Sequence, residues 1–154
     1  MAKIPKVPTK YTQGLKESTA AKRKAQIRKR VRGEVSKADK YKPLAGDKTA
    51  KTKPSQYTKR AGNLRRRILE TATKLQGSAK DRYIKAVSRE TGISVAIIRE
   101  VYDKGLAAWA VGHRPGATAP QWARARVYSF ITGGKTTRTA DATLYAKARK
   151  QMKN

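Results

Sequence analysis

The sequence predicts an all-α protein in which a small bundle of about five helices follows a long, basic and largely extended N-terminal arm. Three observations support this prediction. Apolar residues recur at helical spacing, no segment alternates as a strand does, and large apolar side chains are scarce before residue 60 and common after it. Of the 154 residues, we therefore assign 1–60 to the arm and 61–154 to a helical domain.

The arm is expected to be extended because it contains few groups that a core could bury. It carries only 11 large apolar side chains, too few to offset the entropy cost of ordering the chain. Pro5, Pro8, Pro43 and Pro54 also restrict the backbone and favour extended conformations in the residues before them.

One helix is nevertheless expected inside the arm, at about residues 19–32. Ser18 and Thr19 can cap its start, and Gly33 can end it. The run from residue 20 to 32 has seven basic and no acidic side chains, so like charges one turn apart repel each other. We expect this helix to form against a polyanion or an acidic protein surface. The arm's tyrosines, Tyr11, Tyr41 and Tyr57, are candidates to stack on nucleobases or to lie on a protein.

In the helical domain, polar caps and glycines mark the helices in turn. Asn63 begins a first helix that ends before Gly77. Ser78 begins a second, with Asp81 three residues later where an acid suits the first turn, and Gly92 ends it.

The remaining helices follow the same signals. Ser94 begins a third helix, in which Gly105 predicts a kink or break. Thr118 begins a fourth, and a last helix from Thr139 reaches about Lys150.

The charge indicates a polyanionic partner. Thirty-eight Lys and Arg against ten Asp and Glu give a net charge of +28, whose self-repulsion is relieved by nucleic acid. The absence of cysteine excludes disulfides and Cys-based zinc sites, and a single histidine excludes a His-rich metal centre, so we expect no cofactor and no metal. No apolar run approaches the roughly 20 residues that a membrane-spanning helix needs, and no secretory leader is apparent.

Residues 87–101 have the pattern of a helix-turn-helix, with Ser88 before the turn and Gly92 in it. As a DNA reader, the second helix would present a short set of side chains to the major groove: Ser94, Val95, Ala96 and Arg99. That set holds one arginine and no Asn or Gln, the residues that best discriminate bases. Ordinary helix packing explains the pattern equally well.

Two further motifs are weaker. His113, the only histidine, lies in the loop 112–118 without a neighbouring acid or nucleophile, so we expect it to be structural and the protein not to be an enzyme. The segment 130–137 faintly resembles a phosphate-binding loop, but no Gly stands five residues before Gly134. We interpret it as a helix end followed by a basic loop.

Two sets of residues follow as predictions. Basic side chains that cluster along the chain are candidates to bind nucleic acid: Lys22, Arg23, Lys24, Arg28, Lys29, Arg30, Arg32, Arg65, Arg66, Arg67, Arg99, Arg114, Lys135 and Arg138. Large apolar side chains at helical spacing are candidates for the core: Ile84, Ile98, Trp109, Trp122 and Phe130.

A string of motifs between Ile93 and Leu144 resembles an uncharacterised domain of tailed phages, with distant relatives in large eukaryotic DNA viruses. The strings are EVYDKGLAAW at 100–109, GHRPGAT at 112–118 and QWARARVYSFITGGK at 121–135. The resemblance covers about a third of the chain and implies a virion-associated protein. It carries over no catalytic residues.

The resemblance and the charge together predict a structural protein of a bacteriophage or DNA virus, a minor capsid, head- or tail-associated component. Its basic arm would bind packaged DNA, without sequence preference, or neighbouring capsid subunits. We expect capsid, portal or tail proteins as partners, many copies in a large assembly, no membrane, and a location in the virion, with the host cytoplasm before assembly. Two alternatives stay open: a helix-turn-helix DNA-binding protein for packaging or regulation, and a ribosomal-type RNA-binding protein.

Overall fold

A computed structural model describes residues 7–48, 50 and 56–152 of the chain. These residues form α-helices and two 3₁₀-helices and contain no strand, which confirms the all-helical prediction. The α-helices are α1 (Glu17–Val31), α2 (Lys37–Lys40), α3 (Gln56–Thr73), α4 (Ala79–Thr91), α5 (Val95–Val111), α6 (Ala119–Ile131) and α7 (Ala142–Arg149). The 3₁₀-helices are Thr9–Tyr11 and Lys135–Arg138. The five helices α3 to α7 correspond to the bundle of about five predicted for the helical domain, and α1 and α2 lie in the predicted arm, where the sequence predicted one helix.

The chain divides into two compact units that do not follow the predicted boundary at residue 60. Unit 1 combines residues 7–48 and 50 with residues 106–122, which come from the end of α5, the following loop and the start of α6. Unit 2 combines residues 56–105 with residues 123–152. The predicted boundary falls inside α3, which begins at Gln56 and is kinked at Gly62, where φ is 43° and ψ is −116°, next to the helix start predicted at Asn63.

The predicted extended arm is wrong for residues 7–48. They form α1 and α2, and Val7, Ile27 and Leu44 bury their side chains together, with Tyr11 packed against them. The prediction failed because it counted apolar residues only within the arm, whereas residues 106–122 complete unit 1 from far along the chain. Residues 1–6 and 51–55 of the predicted arm lie outside the described residues.

Local signals located several helix ends correctly. The helix predicted at about 19–32 is α1, although Lys16 precedes it without a side-chain cap. In α4, the Ser78 hydroxyl accepts a hydrogen bond from the Asp81 amide at 3.1 Å, and Gly92 ends the helix with φ of 82°, as predicted.

The predicted break at Gly105 is absent, and α5 runs through it without interruption. A Cβ at this position would lie 2.7 Å from the Ala123 Cα, so Gly105 allows the α5 and α6 backbones to approach closely. Within unit 2, Ile84, Ile98 and Phe130 are fully buried.

Of the two tryptophans predicted to be core residues, only Trp109 is buried, in unit 1. Trp122 is partly exposed, and its ring makes T-shaped contacts with the Tyr11 ring at 6.2 Å and the His113 ring at 6.3 Å. The prediction that Trp122 belongs to the core is therefore only partly correct.

Candidate nucleic-acid interface

Helix α1 has a buried face and an exposed basic face. The buried face consists of Arg23, Ile27 and Arg30, which are spaced by four and three residues and so share one side of the helix. Most of the other basic side chains, among them Arg28 and Lys29, are exposed. Glu17, in the first turn, is the only acid of the helix, so this face presents positive charge without neutralisation from within α1.

The prediction that Arg23 binds nucleic acid is wrong, because its side chain is 0% exposed. Its Nε donates to the Tyr11 carbonyl at 2.7 Å, and its Nη2 donates to the His113 carbonyl at 2.7 Å. Its Nη1 donates to the Asp47 carboxylate at 2.7 Å and to the Ala45 carbonyl at 3.0 Å. The guanidinium is thus neutralised and hydrogen-bonded inside unit 1, out of reach of a phosphate.

Arg30 is also withdrawn from the surface, at 9% exposure, which corrects the same prediction for this residue. Its guanidinium donates to the carbonyl oxygens of Asp39, Lys42 and Ala110 and lies 5.7 Å from the centre of the Trp109 ring. Arg30 therefore ties the end of α1 to the segment around α2 and to the end of α5.

His113 is fully buried and holds its loop in place, as the structural interpretation predicted. Its Nδ1 lies 2.9 Å from the Trp109 carbonyl oxygen and its Nε2 lies 2.7 Å from an Asp47 carboxylate oxygen. Each ring nitrogen is therefore within hydrogen-bond distance of an oxygen atom of unit 1. The His113 ring stacks on the Trp109 ring at 4.2 Å. The buried imidazole is therefore held at both ring nitrogens and against one aromatic ring.

Asp47 is the negative centre of this network. Burial alone would raise the pKa of its carboxyl group. Hydrogen bonds from the His113 ring and from the Gly116 and Leu44 amides outweigh the effect of burial and lower the pKa to about 2. One carboxylate thus receives four donors, the fourth being Arg23.

Unit 2 carries its own exposed basic residues on α3. Arg65, Arg66 and Arg67 follow one another on its surface, while Ile68 is fully buried. Arg67 lies 3.5 Å from Glu90; no ion pair forms at Arg65 or Arg66 within the described residues. α3 therefore presents exposed basic side chains, as α1 does.

The helix-turn-helix segment has the predicted helices, but the one arginine of its reading set is already paired. The Arg99 side chain donates to Asp81 at 2.9 Å, and the Ser94 amide donates to the Gln151 side chain at 2.9 Å. The remaining members of the predicted reading set, Val95 and Ala96, cannot make the hydrogen bonds that distinguish bases.

Twelve of the fourteen predicted contact residues are exposed or partly exposed: Lys22, Lys24, Arg28, Lys29, Arg32, Arg65, Arg66, Arg67, Arg99, Arg114, Lys135 and Arg138. They are distributed over both units. Tyr41, one of the three tyrosines that are candidates to stack on nucleobases, has an exposed ring. The other two are partly buried, and Tyr57 packs against Gly134.

Within the described residues, no group of three or more His, Asp or Glu is arranged to hold a metal ion. No helix in the part of the chain that the structure describes is long and apolar enough to cross a bilayer.

Comparison with known proteins gives a family without a described activity. No curated protein and no solved structure matches the chain. A family profile, however, matches residues 8–147, and these include both segments of unit 1 and nearly all of unit 2. The chain therefore belongs to the family of unknown function DUF5824.

Proposed function

We propose that the protein binds nucleic acid without sequence preference, through exposed lysine and arginine side chains. The excess of positive charge in each unit carries this proposal. The described residues of unit 1 hold 14 basic and 4 acidic side chains, and those of unit 2 hold 19 and 6. Because phosphate contacts by Lys and Arg supply essentially all of non-specific binding, such surfaces suit a nucleic-acid backbone.

Two of the acidic residues do not offset the positive charge of the exposed side chains. Both are buried and neutralise arginines of their own unit: Asp47 pairs with Arg23, and Asp141 pairs with Arg126 through two hydrogen bonds of 2.9 and 3.1 Å. These carboxylates therefore do not repel an approaching phosphate at contact distance. A pair of one carboxylate and one arginine leaves the net charge unchanged, so the excess of basic residues in each unit is carried by the other side chains.

The helix-turn-helix alternative, in which the protein reads a base sequence, is less well supported. Arg99, the one arginine of the predicted reading set, is paired with Asp81. It must break this ion pair before it reaches a base edge. A protein that mostly contacts phosphates binds duplexes of different sequence with similar affinity.

We further propose that this binding serves a structural role in a virion of a bacteriophage or DNA virus, with capsid, portal or tail proteins as partners. The proposal is supported by the motif strings of residues 100–135, by the basic charge and by the small size of the chain. Mass spectrometry of purified particles of the encoding virus tests it. Copies retained at a fixed ratio to the shell protein after a high-salt wash are expected, and absence from the particle refutes the virion role.

Nucleic-acid binding is tested by fluorescence anisotropy with a labelled DNA duplex over a series of salt concentrations. The double variant R28Q/K29Q removes one arginine and one lysine from the exposed face of α1. The matched control, K80Q/R99Q, removes the same two residue types and the same charge where Asp103 and Asp81 already neutralise them.

We expect the plot of log affinity against log salt to lose about 1.8 from its slope in R28Q/K29Q, at about 0.9 per phosphate contact, and little in the control. Equal losses in the two variants would mean that only overall charge matters. Failure of the wild-type protein to bind the duplex at low salt would refute the proposed function.

A further inference from the structure

One aromatic ring in unit 1 is exposed where burial is the rule. All seven tyrosines lie within the described residues. Tyr41 is 47% exposed to solvent, whereas the other six are buried or half-buried. It directly follows α2. An exposed large ring that the protein does not cover is available to an outside partner.

The Tyr41 ring is held in place from behind. It lies nearly parallel to the buried Trp109 ring, with an angle of 3° between the planes and 6.4 Å between the centroids. Arg30 binds the carbonyl oxygens of Asp39 and Lys42, which flank Tyr41 along the chain. Little freedom is therefore lost when a partner stacks on the ring.

A cleft of about 280 Å³ opens beside this ring. Its walls include Pro43, Ala117 and Pro120, so the surface next to the ring is apolar. The volume falls below the usual range for drug-sized ligands and suits a small planar group.

Positive charge accompanies the apolar cleft. The Lys40 ammonium lies 5.8 Å from the centre of the Tyr41 ring, and Lys48 lines the cleft. The two nearby acids are already paired: Asp39 binds Lys42 at 2.8 Å, and Asp47 binds Arg23 and His113. The cleft thus combines a ring surface with cations, which is the complement of a nucleotide.

We propose that the cleft beside Tyr41 binds an unpaired nucleobase, stacked on the Tyr41 ring, with the adjoining phosphate on Lys40 and Lys48. The inference rests on the proposed nucleic-acid binding and adds a preference to it. Stacking requires a base whose face is free, so single strands gain this contact and intact duplexes do not.

The test compares three oligonucleotide probes by anisotropy at one salt concentration: a single-stranded DNA, a DNA of the same length in which every base is missing, and a duplex. The abasic strand keeps the phosphates and lacks the nucleobases. The full-length protein is compared with Y41A and Y41F, and V31A serves as the matched control because Val31 is another exposed apolar side chain of unit 1.

We expect Y41A to weaken binding of the single strand by about tenfold, the size of one base–aromatic stack. Binding of the abasic strand and of the duplex should stay within about twofold. Y41F and V31A should behave like the wild-type protein on all three probes. Circular dichroism of each variant establishes that its helices are intact.

Several other outcomes, with polyglutamate binding and self-association measured on the same variants, would overturn the inference. Equal weakening for the single strand and the abasic strand would make Tyr41 a support for the lysines. Weakening of polyglutamate binding by the same factor as the single strand would assign the cleft to an acidic peptide, and a loss of self-association alone would assign it to a second copy of the chain. If the wild-type protein binds the duplex and Y41A has no effect on any probe, only this inference is refuted. If the wild-type protein binds none of the probes, the proposed function is refuted as well.

Discussion

Asp47→Asn is expected to destabilise unit 1 strongly, although Asp47 belongs to a segment predicted to be an extended arm. The substitution keeps the size of the side chain and removes its charge. The Arg23 guanidinium, which has no exposure, would then be buried without a counter-ion, and the His113 ring would lose its carboxylate acceptor. The magnitude follows from two independent considerations.

The first consideration is the cost of separating a buried ion pair. Removing one partner of such a pair typically costs about 3–5 kcal/mol, because the remaining charge stays uncompensated. The second is the pKa of Asp47, which falls from 3.8 to about 2 on folding. At 1.36 kcal/mol for each pKa unit, the ionised carboxylate contributes about 2.4 kcal/mol at neutral pH. We therefore expect a loss of about 3 kcal/mol, a large fraction of the stability of a small protein.

The assay is urea unfolding followed by tryptophan fluorescence. Both tryptophans, Trp109 and Trp122, belong to unit 1, so the signal reports on that unit. Asp39→Asn is the matched control: it removes the same charge from an exposed carboxylate of the same unit, and it should leave the unfolding midpoint nearly unchanged. Equal effects of the two substitutions would refute the assignment of Asp47 as the centre of a buried network.

The pH dependence gives a second check on the same residue. The folded-state pKa lies below the unfolded one, so the stabilisation by Asp47 is complete above about pH 4 and is lost as the pH falls through about 2. The difference in unfolding free energy between the wild-type protein and Asp47→Asn should therefore shrink as the pH falls below 4. A difference that stays constant down to pH 2 would contradict the assigned pKa.

Two further substitutions test the packing. Trp109→Ala should cost roughly 3–5 kcal/mol, because the buried indole also donates a 2.8 Å hydrogen bond to the Ala117 carbonyl; thermal unfolding measures this, and a change of a few tenths would mean that the ring is not a core residue. Gly105→Ala should cost about 1–3 kcal/mol, because the added methyl would lie 2.7 Å from the Ala123 Cα. An unchanged melting temperature would show that α5 and α6 separate without cost at that point.

The elements that the sequence predicted well are those specified by neighbouring residues. The start of α4 depends on a hydroxyl and an amide three residues apart, Ser78 and Asp81, and its end depends on the left-handed conformation that Gly92 adopts. Such signals need no knowledge of the rest of the chain. They located helix ends even though the predicted extended arm was wrong.

The buried network could not be predicted, because its partners are far apart in sequence. Asp47 and His113 are separated by 66 residues, and no periodic pattern connects them. One signal was present: Arg23 and Arg30 share a helix face with Ile27, the side that an amphipathic helix buries. Because Arg23 and Arg30 belong to a run of seven basic residues, both were predicted to bind nucleic acid together with their neighbours.

The assembly of unit 1 from two distant segments has a consequence during translation. A ribosome adding about 5–20 residues per second needs roughly 3–13 s to pass from Asp47 to His113. Throughout this interval Arg23 lacks the His113 carbonyl and Arg30 lacks the Ala110 carbonyl and the Trp109 ring, so both guanidinium groups are less completely covered than in the finished unit. Any polyanion that binds this open form shifts the equilibrium away from the folded unit by mass action. The protein must therefore complete the segment around His113 before it withdraws two of its cations from competing RNA.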